Sequence, residues 1–201
     1  MADKKQPATR VTLGSPEFPV RFSYIALFQP KEAKDDAGET VRDDSGVAVK
    51  KFSAQIRIPK KDKVGHAACL AAIEAARHEE FGDKKIANLK LPIRDGDEEW
   101  EEKDDESLKG HWFFNCSSKQ KPNVVGPKKD ELTGKLELLG ESDIKSGDYG
   151  RVSVNFFGFT GKQKGIGVGL GNVQKLKDGD PLGNQRSADD DFGDLEDGFS
   201  D

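Results

Sequence analysis

Hydrophobic and polar residues alternate with a period of two over several separate stretches of this chain. In residues 20–28, Val20, Phe22, Tyr24, Ala26 and Phe28 fall on one face. Residues 10–19 lead into that strand as extended chain broken by Pro16 and Pro19. Residues 51–58 set Phe52, Ala54, Ile56 and Ile58 against Ser53, Gln55 and Arg57, and Pro59 ends the run. Residues 111–117 read as another strand. The strongest signal is 149–160, where Val152, Val154 and Phe156 oppose Arg151, Ser153, Asn155, Phe157 and Phe159. A Gly-Lys-Gln-Lys-Gly hairpin loop follows at 161–165. It leads into Ile166, Val168 and Leu170, interleaved with Gly165, Gly167, Gly169 and Gly171. Residues 132–139 can pair locally.

One stretch has a helical period. Over residues 63–81, Val64, Ala67, Ala68, Ala71 and Ala75 recur three or four apart, with Leu70 and Ile73 beside them. Alanine favours the helix, Asp62 is placed to cap its start and Gly82 to stop it. Residues 31–45, 95–106 and 118–129 are polar and read as long loops, the last of them basic. Five or six strands with one helix fit a small β-barrel or sandwich better than alternating βαβ units. The expected organisation is a disordered N-terminus over 1–9, one domain over 10–183 and a disordered acidic tail over 184–201.

Charge sharpens that division. The chain of 201 residues has a net charge of -5. Residues 188–201 hold seven acids and no Lys or Arg, and without them 32 basic residues face 30 acidic ones. Residues 95–106 hold nine more acids around Lys103, and without these too the balance is 31 basic to 21 acidic. A basic body suits a polyanion, with an acidic tail as competitor or partner hook. The tail residues Asp189, Asp190, Asp191, Asp194, Glu196, Asp197 and Asp201 are interrupted by Phe192, Leu195 and Phe199 at a spacing that a partner's groove could read.

Catalytic and metal chemistry find little support. His66 and Cys69 lie three apart on the helix and His78 is further along it, but a zinc site needs about four converging ligands. Two cysteines, Cys69 and Cys116, make no disulfide framework and suit a reduced interior. The alternating glycines lack the spacing and following helix of a dinucleotide fingerprint. They leave one strand face bare, open either to tight packing or to a ligand. The N-terminus has no apolar signal core, and no segment approaches the roughly 20 apolar residues of a membrane helix. No cofactor is expected.

Single-strand binding needs cations for phosphates and exposed aromatic rings for bases, each stacked base being worth about 1–3 kcal/mol. The polar faces and loops offer both. Trp112, Phe114, Phe157, Phe159 and Tyr24 are candidate stacking platforms, and Arg57, Lys119, Lys121, Arg151, Lys162 and Lys164 are candidate phosphate contacts. Phe22, Phe52, Phe113 and Phe156 are assigned to the core.

Several blocks together resemble a known family. These are Phe22-Ser-Tyr-Ile-Ala-Leu-Phe, Phe52-Ser-Ala-Gln-Ile-Arg-Ile-Pro-Lys, Pro92-Ile-Arg-Asp-Gly-Asp, Lys109-Gly-His-Trp-Phe-Phe-Asn-Cys-Ser-Ser-Lys, Gly147-Asp-Tyr-Gly-Arg-Val-Ser-Val-Asn-Phe-Phe and Gly167-Val-Gly-Leu-Gly-Asn-Val-Gln-Lys. They are similar to phage and prophage single-stranded DNA-binding proteins over roughly residues 22–183. That family is similar in plan to the T7-type phage protein, with an OB-fold barrel and an acidic tail ending in an aromatic; here Phe199 stands two residues before the end. The resemblance implies a five-stranded Greek-key barrel, action in the cytoplasm of an infected bacterium, and a part in replication, recombination or repair. Partners would be single-stranded DNA and, through the tail, a replication polymerase, helicase or nuclease. A monomer or a homodimer fits equally. The rival readings are a strand-annealing mediator, a protein adaptor or virion component that binds no nucleic acid, and a nuclease.

Overall fold

The computed structural model describes residues 8–35, 38–161 and 163–182. Nine strands occur among these residues: β1 (Arg10–Leu13), β2 (Val20–Glu32), β3 (Lys50–Pro59), β4 (Arg94–Asp95), β5 (His111–Ser118), β6 (Val124–Lys129), β7 (Leu136–Leu138), β8 (Tyr149–Phe159) and β9 (Gly165–Lys177). The helices are α1 (Lys63–Phe81) and the single turn α2 (Gly96–Glu99). The five longer strands foreseen in the sequence are β2, β3, β5, β8 and β9.

Those five close on themselves. β2 pairs with β3, β3 with β5, β9 with β8, and β8 with β2, all antiparallel. A parallel β5–β9 contact at Ser117 and Gly169 completes the ring. The inward faces are apolar: Phe22, Ile56, Ile58, Phe114, Cys116, Val152, Val154, Phe156 and Val168 are all buried. β1 lies along β8, and the β6–β7 hairpin extends the sheet beyond β9. Thr9, expected in a disordered terminus, is buried, and its carbonyl accepts the Phe156 N–H at 2.9 Å.

α1 packs on β8, β1 and β9. Its bounds follow the sequence reading, with Asp62 accepting the Gly65 N–H at 2.8 Å and Gly82 at φ 60 ending it. Its buried face differs. Cys69, Ala72, Ile73, Ala76 and Phe81 go inward, while Val64 is 81% exposed and Leu70 46%. Alanine occurs all round this helix, so periodicity did not single out one face; the larger Ile73 and Phe81 decide it by burying more area.

Two further expectations are corrected. β2 does not alternate throughout: Tyr24 takes φ 47, the register shifts between Ser23 and Ala26, and the extra residue turns Tyr24 outward while Ser23 is buried. The acidic run is solvated as expected, with Glu98, Glu101, Glu102, Asp104 and Glu106 exposed, but it is not a plain loop. It forms β4, α2 and a 3-10 turn at Glu106–Leu108, pinned to the barrel by ion pairs. Lys60 Nζ meets Asp95 at 2.5 Å and Asp97 at 2.7 Å, Arg94 meets Glu99 at 3.2 Å, and Arg57 meets Asp105 at 2.7 Å.

Candidate nucleic-acid interface

Each barrel strand turns one face to the core, and the outward positions form a belt whose order is set by register, although Gln55, Arg57 and Phe113 are covered on that side. Ser53 stands opposite Ser117 and Gln55 opposite Asn115 across β3–β5. Ser117 stands beside Gly169 across β5–β9, and Gly169 opposite Asn155 across β9–β8. Phe157 is opposite Gly167 and Phe159 opposite Gly165. Tyr24 reaches the same belt from β2. At about 4.8 Å per strand, the belt runs about 19 Å from β2 to β8.

Tyr24 marks one end and is 67% exposed. It lines a groove of about 390 Å³ with Lys31, Lys34, Lys51, Asn115 and Ser117. Lys31 and Lys34 belong to a polar stretch read as a long loop. That stretch is a narrow arm closed by backbone bonds, Val41 N–H to Ala33 O at 2.8 Å and Val49 N–H to Val41 O at 2.9 Å. The valines at 41, 47 and 49 were the available signal for it. Among the described residues none of these three lysines has a carboxylate partner. Ser118 pairs with Phe52, so exposed Lys119 follows directly beside Lys51. Lys121 Nζ stands 5.6 Å from the Phe28 ring centroid.

Phe157 marks the other end and is 46% exposed. A Cβ on Gly167 would lie 2.7 Å from Phe157 Cζ, and one on Gly165 would lie 2.6 Å from Phe159 Cζ. The bare glycine face is thus where the neighbouring rings lie down on the sheet. One side of Phe157 is covered by backbone and the other faces water. Exposed Lys164 flanks this pair. Lys162 lies outside the described residues, as do the proposed tail positions 189–201.

Three sequence assignments change. Phe114 is fully buried and packs edge-on to Phe156 at 6.0 Å, so it is core and not a platform. The two faces of β5 are the reverse of the sequence assignment: Phe114 and Cys116 point inward. Phe113, assigned to the core, is buried on the outer side, where Arg94 lies 4.4 Å from its ring centroid. Arg57 is fully buried and touches no solvent. Its guanidinium donates to Asp105 at 2.7 Å, Gln55 at 2.9 Å and Ser23 at 3.0 Å, and also to Ser107. Burial raises the Asp105 pKa, but bonds from Ser107 and Arg57 outweigh it and hold the carboxyl below its ordinary value. A buried arginine opposite an apolar face is legible only once its acid partner, 48 residues away, is known.

Trp112 and Arg151 are placed apart from the belt. The Trp112 ring stacks on His66 of α1 at 3.6 Å and 5°, with Lys63 4.8 Å from its centroid. One ring face is therefore covered by the protein. Arg151 is exposed but six residues from Phe157 along β8, about 20 Å away. His78 is exposed and Cys69 buried, the latter with its thiol pushed up to about 12 by burial.

Comparisons with known proteins bear on this arrangement. A family model described as the Enterobacter phage Enc34 ssDNA-binding protein matches residues 9–200. A putative protein p50 of Acyrthosiphon pisum secondary endosymbiont phage 1 is 26% identical over 170 residues, covering 80% of this chain and 82% of the relative. Among solved structures, the single-stranded DNA-binding protein from bacteriophage Enc34 in complex with ssDNA superposes with a TM-score of 0.64 at 23% identity, covering 90% of this chain and 97% of that one. A second structure of the Enc34 protein gives 0.63 at 21%, over 96% of this chain and 97% of that one. These likenesses show a shared fold.

Proposed function

Because the chain belongs to the phage Enc34 single-stranded DNA-binding protein family, we propose that it coats and protects single strands of DNA exposed while phage DNA is replicated, recombined or repaired. It is a binding protein and not an enzyme. We read the closed ring as an OB fold, the strand order β2-β3-β5-β9-β8 matching a Greek-key barrel. OB folds take oligonucleotides on the face of their second and third strands, here β3 and β5, between the loop joining the first two strands and that joining the last two.

The observation that carries the reading is the belt from Tyr24 to Phe157. It has an exposed ring at either end, small residues between, and lysines along its edges without acidic partners among the described residues. Bases stack on Tyr24, Phe157 and Phe159. Lys31, Lys34, Lys51, Lys119, Lys121 and Lys164 meet phosphates, and Lys162 joins them from the hairpin. Protection of the strand takes place in the cytoplasm of the infected bacterium, and the acidic tail recruits replication proteins.

Fluorescence anisotropy with a labelled oligonucleotide over a salt series tests this. Log affinity should fall with log salt at about -0.7 per phosphate contacted. No measurable binding at low salt refutes it, leaving an adaptor that uses the same surface for protein.

A further inference from the structure

The register that builds the belt carries it one strand past β8. Asn155 is opposite Gly169 on one side and opposite Arg10 of β1 on the other. A groove of about 280 Å³ runs from Gly169 past Asn155 and Ser153 to Arg10. Arg10 and Ser153 also line a larger groove, of about 530 Å³, which follows the outward side of β8 and β9 to Arg151 and Lys135. Asn155 and Arg151 are four residues apart on β8, about 13 Å. The belt therefore opens, through residues the grooves share, into a surface beyond Phe157.

This surface has the chemistry of the belt without its rings. Arg10, Lys135 and Arg151 are exposed, as the belt lysines are, and among the described residues no carboxylate lines either groove. Arg151 Nε donates to Gly14 O at 3.3 Å, which sets the guanidinium beside β1. Gly169 leaves the entrance open: a Cβ there would meet only ordinary contacts, the nearest being Asn155 O at 3.4 Å, whereas rings lie down on Gly165 and Gly167. No aromatic residue lines either groove, so bases find no platform here and a strand is held through its phosphates.

We propose that the single strand does not stop at Phe157 but crosses β8 to Arg10 and follows the outward face of β8 and β9 to Arg151 and Lys135. This extension rests on the reading of the belt as the strand-binding face. It adds three phosphate contacts and no stacked base. Binding then has two parts of different character. The belt supplies stacking and phosphate contacts together, and the extension supplies charge alone. A longer oligonucleotide gains affinity there in a form that salt removes.

Salt titrations of the full-length chain with thymidine oligonucleotides test this, with lengths stepped from about 4 to about 16 nucleotides, the range of OB-fold site sizes. Excess oligonucleotide holds the complex at one chain per strand. The salt slope is read because it counts phosphates, whereas affinity alone also rises with the number of binding registers. The slope should steepen with length in two stages, the second adding about 2, or about 0.7 for each of three phosphates. The triple variant R10A/K135A/R151A should lose that second stage and keep the slope of the shortest oligonucleotide that binds. Its thermal midpoint should stay unchanged, since all three side chains are exposed. Binding of short oligonucleotides with no second stage overturns the extension and leaves the belt standing. So does a triple variant that keeps the second stage, as it would if the groove served a protein partner, or one that loses slope equally at every length. No binding at any length overturns the belt and the extension together.

Discussion

Phe157 and Phe114 have the same side chain in opposite circumstances. Phe157 is 46% exposed, whereas Phe114 lies wholly in the core. Phe157→Ala should weaken oligonucleotide binding by the worth of one stacked base, about 1–3 kcal/mol, with an unchanged thermal transition. Phe114→Ala should instead cost about 3–5 kcal/mol of stability through the cavity it leaves. Anisotropy and calorimetry on the two variants separate the roles. Arg57 makes the same point for charge. It holds the Asp105 carboxylate, and with it the acidic segment, on the barrel. Because the Asp105 pKa is depressed in the fold, its contribution is present above about pH 4 and is lost as pH falls through the depressed value. Asp105→Asn should therefore lower the melting temperature at neutral pH and flatten its fall between about pH 5 and 3. Melting scans across that range check both.

At the scale of elements, β8 and β9 act as one unit in which glycine makes room for aromatic rings. Gly167→Val should push the Phe157 ring off the sheet and lower oligonucleotide affinity, because the added carbon atoms occupy the place where the ring tip rests. Unchanged affinity would mean the ring need not lie flat to serve a base. The alternation that placed Phe157 and Phe159 outward, and Val152, Val154 and Phe156 inward, was legible because β8 is long and buries one face cleanly. β5 was less legible. Trp112, Phe113 and Phe114 are all large and apolar, and the outer one is hidden by a segment whose acids suggested solvent. Tyr24 was placed by an alternation that a bulge breaks, so it turned out exposed although β2's pattern set it with the core residues Val20 and Phe22. Lys31, Lys34 and Lys51 were missed because nothing local marks a lysine at a strand end or just beyond one as facing a groove built by β3 and β5. Position across strands is a property of pairing, and pairing is long-range. Trp112 follows the same rule: its partner is a helix residue, and Trp112→Ala should loosen α1 and lower the thermal midpoint more than it lowers affinity.

For the whole molecule, charge is local and not global. A chain with net charge -5 can still bind a polyanion, because its acids are segregated: four of the nine in residues 95–106 are paired with Lys60, Arg57, Arg94 and Lys103, and the segment lies off the belt. The lysines of the belt remain free among the described residues. Lys31→Ala and Lys51→Ala should each reduce the salt slope by about 0.7 while leaving sequence preference untouched. Deleting residues 188–201 removes seven negative charges and should tighten binding at low salt, with the gain vanishing near 1 M, where the Debye length is about 3 Å.

The way the barrel closes also sets the order in which it can be made. β9 pairs with both β5 and β8, so until Lys177 has been synthesised the ribosome presents a sheet with two raw edges. Such edges invite pairing with other chains. At about 5–20 residues per second, the stretch from the end of β8 to the end of β9 takes a few seconds at most. The interval is short because a five-residue hairpin loop joins the two strands, Thr160 to Lys164 lying between Phe159 and Gly165. The strands that shut the ring are thus the last made and nearly contiguous. Each nascent chain therefore spends little of its synthesis with those edges open to aggregation.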